Sequence, residues 1–207
     1  MPKMKLVARP SDSDVATTIA SAILGFIADI PKSTERKRRD PTDSSRSTAN
    51  SAAANAAMAA GALALPPGPL GWLTILPEMV AVWKIQAQMV ADIAAFHGKK
   101  AMLTEEQMIY CLFKHTAAQA VRDLVVRVGE RTLVRRASLR VLQTIAQKIG
   151  VQVTQRAIGK GLSRWLPVIG AVGVGAYAYF DTAQVATTAI ELFSGDLDLQ
   201  PATQAKS

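Results

Sequence analysis

The amino-acid sequence predicts an all-α protein, a compact helical bundle with two apolar helical segments rich in glycine and alanine. Hydrophobic residues make up 49% of the 207 residues and aromatic residues only 5%, a balance that suits helices better than sheets. Apolar side chains recur every four residues in several stretches, which is the spacing of one helix face. Residues 48–77 contain no ionisable side chain. Such a segment suits a protein core or a membrane.

The first 47 residues predict an amphipathic helix at about 13–29 and a basic linker rich in serine and threonine. Val15, Ile19, Ile23 and Ile27 repeat every four residues, and Pro31 follows. Residues 32–47 have almost no large apolar side chains, so we interpret them as a mobile linker. We therefore expect a disordered or loosely attached N-terminal region, a helical domain at 48–195 and a C-terminal tail at 196–207. The basic start is not followed by a long apolar run, so no cleaved signal is predicted.

Both apolar segments have the small residues that allow helices to approach closely. Within residues 48–77, alanine recurs every four residues from Ala52 to Ala64, before a Pro-Pro-Gly-Pro break. A long helix then runs to His97. The second segment, 165–193, has no charge before Asp181. The glycines expected to serve helix packing are Gly61, Gly68, Gly170, Gly173 and Gly175.

The positive charge is concentrated in the middle of the chain. Residues 122–164 carry ten Lys/Arg and two Asp/Glu, and their net charge of +8 equals that of the whole chain. Apolar residues from Met108 to Val128 predict a helix face that Gly129 interrupts. Leu133, Ala137, Val141, Ile145 and Ile149 recur every four residues and predict a two-faced helix, with Arg127, Arg131 and Arg135 on one line, followed by a short basic helix at about 151–164. The candidate contacts to an anionic surface are Arg127, Arg131, Arg135, Arg136, Arg140, Arg156, Lys160 and Arg164. Lipid headgroups, nucleic acid, an acidic protein or plain solvent are the alternatives for this face, and the scarcity of interleaved aromatic residues disfavours nucleic acid.

Two acids in apolar helices, Glu78 and Asp181, are candidate buried polar residues. A buried carboxylate must be paired, hydrogen-bonded or neutralised, whereas an acid in the first turns of a helix can simply face solvent or a core arginine. The two histidines do not have metal-site spacing, and a pair of Cys111 and His115 lacks a third group to orient the base. No catalytic residue, metal or cofactor is predicted.

Two sequence blocks resemble the EcsC-like family. The first contains Leu65-Pro66-Pro67-Gly68-Pro69-Leu70, Leu76-Pro77-Glu78, Gln86, Ala94 and Phe96-His97-Gly98, and the second contains Pro167-Val168-Ile169-Gly170, Gly173 and Asp181. The resemblance implies a bacterial, mostly helical protein at or near the cytoplasmic membrane, with no established active site. His97 replaces a common tyrosine and Asp181 a common asparagine. Gln86 and His97 complete the candidate buried polar residues.

Together these observations predict a non-enzymatic, cytoplasmic protein that is peripheral to, or partly inserted in, the inner membrane. Its expected partner is an anionic membrane surface or a membrane protein. One alternative is a soluble protein–protein interaction module in which both apolar segments are buried. A second alternative is an enzyme with Glu78 and Asp181 as an acid pair in a helical cavity.

Overall fold

Seven α-helices, one short β-hairpin and two single-turn 3-10 helices, Lys100–Met102 and Arg122–Leu124, make up the regular structure of the described residues. The structure, a computed structural model, describes residues 11–63, 71–128, 131–159 and 167–195. The elements are α1 (Asp12–Ile27), α2 (Pro41–Leu63), α3 (Gly71–Phe96), α4 (Glu105–Phe113), α5 (Ala118–Val121), β1 (Val125–Val128), β2 (Arg131–Val134), α6 (Leu139–Gly159) and α7 (Pro167–Ser194). The described residues are 78% helical, so the predicted all-α fold class is confirmed.

Helix α1 covers most of the predicted N-terminal helix and belongs to the core. Its first turn is held by a capping box, in which the Ser11 side chain accepts from the Asp14 N–H and the Asp14 carboxylate accepts from the Ser11 N–H. Ile19, Ile23 and Ile27 are buried, and α1 packs along α6. The side chains that repeat every four residues therefore form the buried face of this helix.

The interpretation of residues 32–47 as a mobile linker is wrong for their second half, because α2 begins at Pro41. Asp40 accepts a hydrogen bond from the Asp43 N–H, and proline at the first helical position lacks only an N–H that has no partner within the helix. Upstream, the Arg38 N–H donates to the Phe96 carbonyl at 3.1 Å, and its guanidinium lies over the Phe96 ring. The polar composition of residues 32–47 therefore does not prevent a helix start at Pro41 or the contact of Arg38 with Phe96.

Helices α2, α3 and α7 pack against one another through small side chains. Ala52, Ala53, Ala56 and Ala60 form the buried face of α2, and α2 contacts α7 and α3 more than any other helix. The helices α2 and α7 are so close here that a Cβ added to Gly175 of α7 would lie 3.0 Å from the Ala57 carbonyl oxygen. The alanine stripe predicted at residues 48–77 thus serves the protein interior over the part that the structure describes.

The helix predicted through Val128 and the helix predicted from Leu133 are wrong on either side of Gly129. Strands β1 and β2 pair antiparallel there, with Val125 opposite Val134 and Val128 opposite Arg131. A run of β-branched residues followed by Gly129-Glu130 is a hairpin signal in the sequence, and it outweighs the apolar repeat of four residues.

Helix α6 is continuous from Leu139 to Gly159 instead of being broken near Ile149. Gly150 lies inside it, where a Cβ would be 2.4 Å from the Ala16 carbonyl oxygen of α1. Gly150 therefore lies at a close backbone contact between α1 and α6.

Candidate functional site

A polar network links α3, the turn after α4 and α7. The fully buried Gln86 amide donates from Nε2 to Asp181 Oδ2 at 2.7 Å and to Thr182 Oγ1 at 3.1 Å. His115 Nε2 lies 2.7 Å from Asp181 Oδ1, and the His115 and Asp181 side chains are 18% and 13% exposed. Two of the predicted buried polar residues, Gln86 and Asp181, are thus in direct contact.

The carboxylate of Asp181 is the centre of this network because it accepts on both oxygens. Burial of a carboxylate is costly unless donors replace its water, and Gln86 and His115 supply those donors. Two further atoms of the network, Gln86 Oε1 and His115 Nδ1, are buried and have no hydrogen-bond partner among the described residues. In the tautomer whose Nε2–H donates to Asp181, Nδ1 carries no proton and is only an acceptor. An unpaired buried acceptor costs less free energy than an unpaired buried N–H.

No nucleophile of the described residues is positioned by this histidine. Cys111, one turn earlier, is fully buried, and burial raises the pKa of its thiol. Its sulfur forms no hydrogen bond with His115 in the part of the chain that the structure describes. The same residues contain no group of three or more His, Cys, Asp or Glu that could hold a metal ion. The chemistry that the network supports is the polar attachment of α7 to α3 and α4.

The other two predicted buried polar residues lie away from these hydrogen bonds. The backbone of Glu78 is in α3, about 12 Å along the helix before Gln86, and its side chain is outside the described part. His97 follows the end of α3, and its Nε2 atom is buried without a partner in the described structure. Burial lowers the pKa of His97, and the charge of Lys99 lowers it further. The hydrogen-bond partners of Asp181 among the described residues are the Gln86 amide and the His115 imidazole.

The predicted packing role holds for only some glycines. Gly175 is buried against α2, as described above, whereas a Cβ on Gly173 would meet no atom within 4 Å. The packing prediction for Gly173 is wrong, because this residue lies on the solvent-facing side of α7. Gly61 is in α2 and Gly170 in α7, and Gly68 lies outside the described residues.

The predicted arginine face is divided between two kinds of structure. Arg127 and Arg131 are on β1 and β2, so the prediction that they share a helical line with Arg135 is wrong. Arg135, Arg136 and Arg140 are exposed before and within the first turn of α6, and they form no ion pair with any described residue. Of the remaining predicted contacts, Arg156 belongs to α6, and its side chain is outside the described part of the structure. Lys160 and Arg164 lie outside the described residues.

The role of His115 was missed because its partner is distant in the chain. Sequence reasoning considered His115 only with neighbouring residues, but Asp181 is 66 positions away and Gln86 is on a third element. The acid in an apolar helix was a usable signal for Asp181. No local pattern identifies the histidine that meets it.

One helical stretch in the described residues is long and apolar enough to cross a membrane. It is Met79–Phe96 of α3, and 61% of it is buried inside the protein. A buried core helix has the same length and composition, so this stretch is weak support for a membrane span.

No family model, curated protein or solved structure matches this chain. The fold and the site define a helical bundle with a largely buried network of Asp181, His115 and Gln86 and with exposed arginines at the start of α6. The EcsC-like resemblance stays a prediction.

Proposed function

We propose that this protein is a bacterial, non-enzymatic, membrane-associated helical bundle that contacts anionic lipid headgroups from the cytoplasmic side. The observation that carries the proposal is the group formed by Arg135, Arg136 and Arg140, which are exposed and unpaired among the described residues. The EcsC-like resemblance predicts the same location. We call these three residues the arginine group.

The strength of such a contact follows from the number of unpaired arginines, because Glu105 and Glu106 line the same groove as Arg136 but form no ion pair with it. A basic side chain near an anionic leaflet contributes roughly 1 kcal/mol, so three contribute about 3 kcal/mol, or roughly a hundredfold in affinity. No existing ion pair with a described residue has to break first. The net charge of +8 adds a longer-range attraction, which salt screens.

Vesicle flotation tests the proposal with a charge-matched control. The variant Arg135→Gln/Arg136→Gln/Arg140→Gln removes the arginine group, and Lys84→Gln/Lys100→Gln/Arg122→Gln removes three exposed cations elsewhere. We expect the native protein to float with phosphatidylglycerol vesicles and not with phosphatidylcholine vesicles. The first variant should lose about a hundredfold in affinity and the second much less. Negligible flotation of the native protein with both lipids, or equal losses in the two variants, would contradict the proposal.

A soluble interaction module is the second candidate, and the burial of the apolar helices favours it. The alanine face of α2 and most of Met79–Phe96 are covered by protein, so these segments need no lipid to be shielded from water. This candidate predicts a monodisperse protein in detergent-free buffer that stays in the soluble fraction with either vesicle. Recovery of the protein on anionic vesicles at physiological salt would count against it.

A further inference from the structure

The solvent-facing side of α7 changes from apolar to polar along the helix. At 100° per residue, Val172, Ala176, Phe180 and later Gln184 and Thr187 fall on one side of the helix, and all five are exposed. A solvated helix face is ordinarily polar, as it is in the second half of α7. The first half therefore has apolar side chains that the described part of the chain leaves exposed.

The apolar residues of this half are highly exposed. Val172 and Phe180 are each 69% exposed, and Tyr177 is 49% exposed. Met58 of α2 is also 65% exposed. We define the α7 apolar surface as Val172, Ala176, Tyr177, Tyr179 and Phe180. Large contiguous apolar surfaces of this kind mark contacts with membranes or proteins.

The charge pattern of the sequence that leads into α7 indicates the partner of this surface. From residue 131 to residue 180 the chain has eight Lys/Arg and no Asp or Glu. Lys160 and Arg164 immediately precede α7 in the sequence, while the first acid, Asp181, is turned into the polar network. Tyrosine, moreover, prefers the boundary between headgroups and acyl chains. An apolar surface within an acid-free, basic stretch is complementary to an anionic bilayer.

We propose that the α7 apolar surface enters the acyl-chain boundary of an anionic lipid leaflet, with the first half of α7 lying along the membrane surface. This inference rests on the proposed function and adds an inserted element to the headgroup contact. The inserted face ends after Phe180, because the solvent-facing positions from Gln184 onward are polar. The second half of α7 accordingly stays in water.

Site-specific labelling tests the depth of insertion. Cys111 is fully buried, so a polarity-sensitive maleimide dye should react with an introduced cysteine and spare the native one. Val172→Cys places the dye on the α7 apolar surface, and Thr187→Cys places it on the polar half of the same side. With anionic vesicles we expect a blue shift at residue 172 and quenching there by lipids brominated on the acyl chain, with neither effect at residue 187. Equal responses at both positions would overturn the proposal.

Affinity measurements test the contribution of the surface with a matched apolar control. Phe180→Gln removes its largest side chain, and Val151→Gln removes a 45% exposed valine of α6 that lies about 16 Å along the helix from Arg140. We expect Phe180→Gln to weaken binding to anionic vesicles by about tenfold and Val151→Gln to change it little.

The outcomes separate this inference from the proposed function. If the native protein does not float, both fail. If it floats while Phe180→Gln binds equally well and the dye at residue 172 remains in water, the insertion alone is refuted. A native dimer in solution that Phe180→Gln converts to a monomer would identify a second copy as the occupant and would overturn the lipid proposal.

Discussion

Replacement of Gly150 by alanine should destabilise the protein, although alanine is the better helix former. Gly150 lies inside α6, where a Cβ would be 2.4 Å from the Ala16 carbonyl oxygen and 3.4 Å from the Ala20 nitrogen of α1. These are backbone atoms, so no side-chain rotation can make room. The two helices must move apart or the methyl group must be strained.

The expected magnitude is the difference between two opposing effects. Alanine gains about 1 kcal/mol over glycine in a helix interior, whereas inserting a methyl group into a packed contact costs about 1–3 kcal/mol. Because a backbone carbonyl cannot yield independently of its helix, the upper part of that range applies. We expect a net loss of about 1–2 kcal/mol in the free energy of unfolding.

Gly25→Ala and Gly173→Ala are the matched controls. Both glycines are in helices, and a Cβ on either would meet no atom within 4 Å. Each substitution should therefore stabilise the protein by up to about 1 kcal/mol. Urea unfolding followed by circular dichroism measures all three, with similar m-values as the check on comparability. If Gly150→Ala gains as much stability as Gly25→Ala, α1 and α6 do not approach as described.

Three further predictions concern buried groups. Asp181→Ala leaves the donors of His115 and Gln86 without their acceptor, so it should lower the free energy of unfolding in urea by about 1–3 kcal/mol. Glu191→Ala removes an exposed ion pair with Lys114 and should lower it by less than about 1 kcal/mol. Equal losses in the two variants would contradict a role for the network. Because the folded state lowers the pKa of His97, the unfolded state binds a proton first as the pH falls, so the stability associated with neutral His97 is present above about pH 6.5 and is lost below it. Between about pH 7.5 and pH 5.5, the urea concentration at the unfolding midpoint should therefore decrease more in the native protein than in the His97→Gln variant. Equal decreases in the two proteins would refute this. Cys111 should react with a thiol reagent at least about a hundredfold more slowly in the native state than in urea, and similar rates would show that the thiol is accessible.

Local signals in the sequence predict α1 well because its determinants are close together. The Ser11 capping box and the isoleucines from Ile19 to Ile27 fall within about four turns, and the structure buries those isoleucines. The start of α2 also had a local signal, Asp40-Pro41. It was missed because a polar composition was given more weight than a capping pattern.

The β-hairpin shows how one repeat can fit two structures. Leu133, Ala137 and Val141 were interpreted as one helix face, but Leu133 is on β2, Ala137 precedes α6 and Val141 is exposed. Four-residue spacing is also a multiple of the two-residue period of a strand, so a short segment satisfies both. Only the β-branched run and the Gly129-Glu130 pair distinguished them.

The polar network could be anticipated only in part. Asp181 was identifiable because a carboxylate in an apolar helix needs a partner. Its partners depend on how α3, the end of α4 and α7 pack, and this geometry arises from contacts between residues nearly a hundred positions apart. The sequence therefore predicted the need for partners but not their identities.

The position of the network explains how α7 can keep an apolar surface exposed without leaving the bundle. The small-residue contact at Gly175 holds the first half of the helix, Asp181 holds its middle, and the buried Val185, Leu192 and Phe193 hold its second half. The helix is thus fixed on its inner side along its length, and its outer side changes character just beyond Asp181. A surface that is already ordered loses little conformational entropy when it meets a bilayer. Membrane contact through this surface therefore requires no release of α7, and the far-ultraviolet circular dichroism of the protein should be the same on vesicles as in solution.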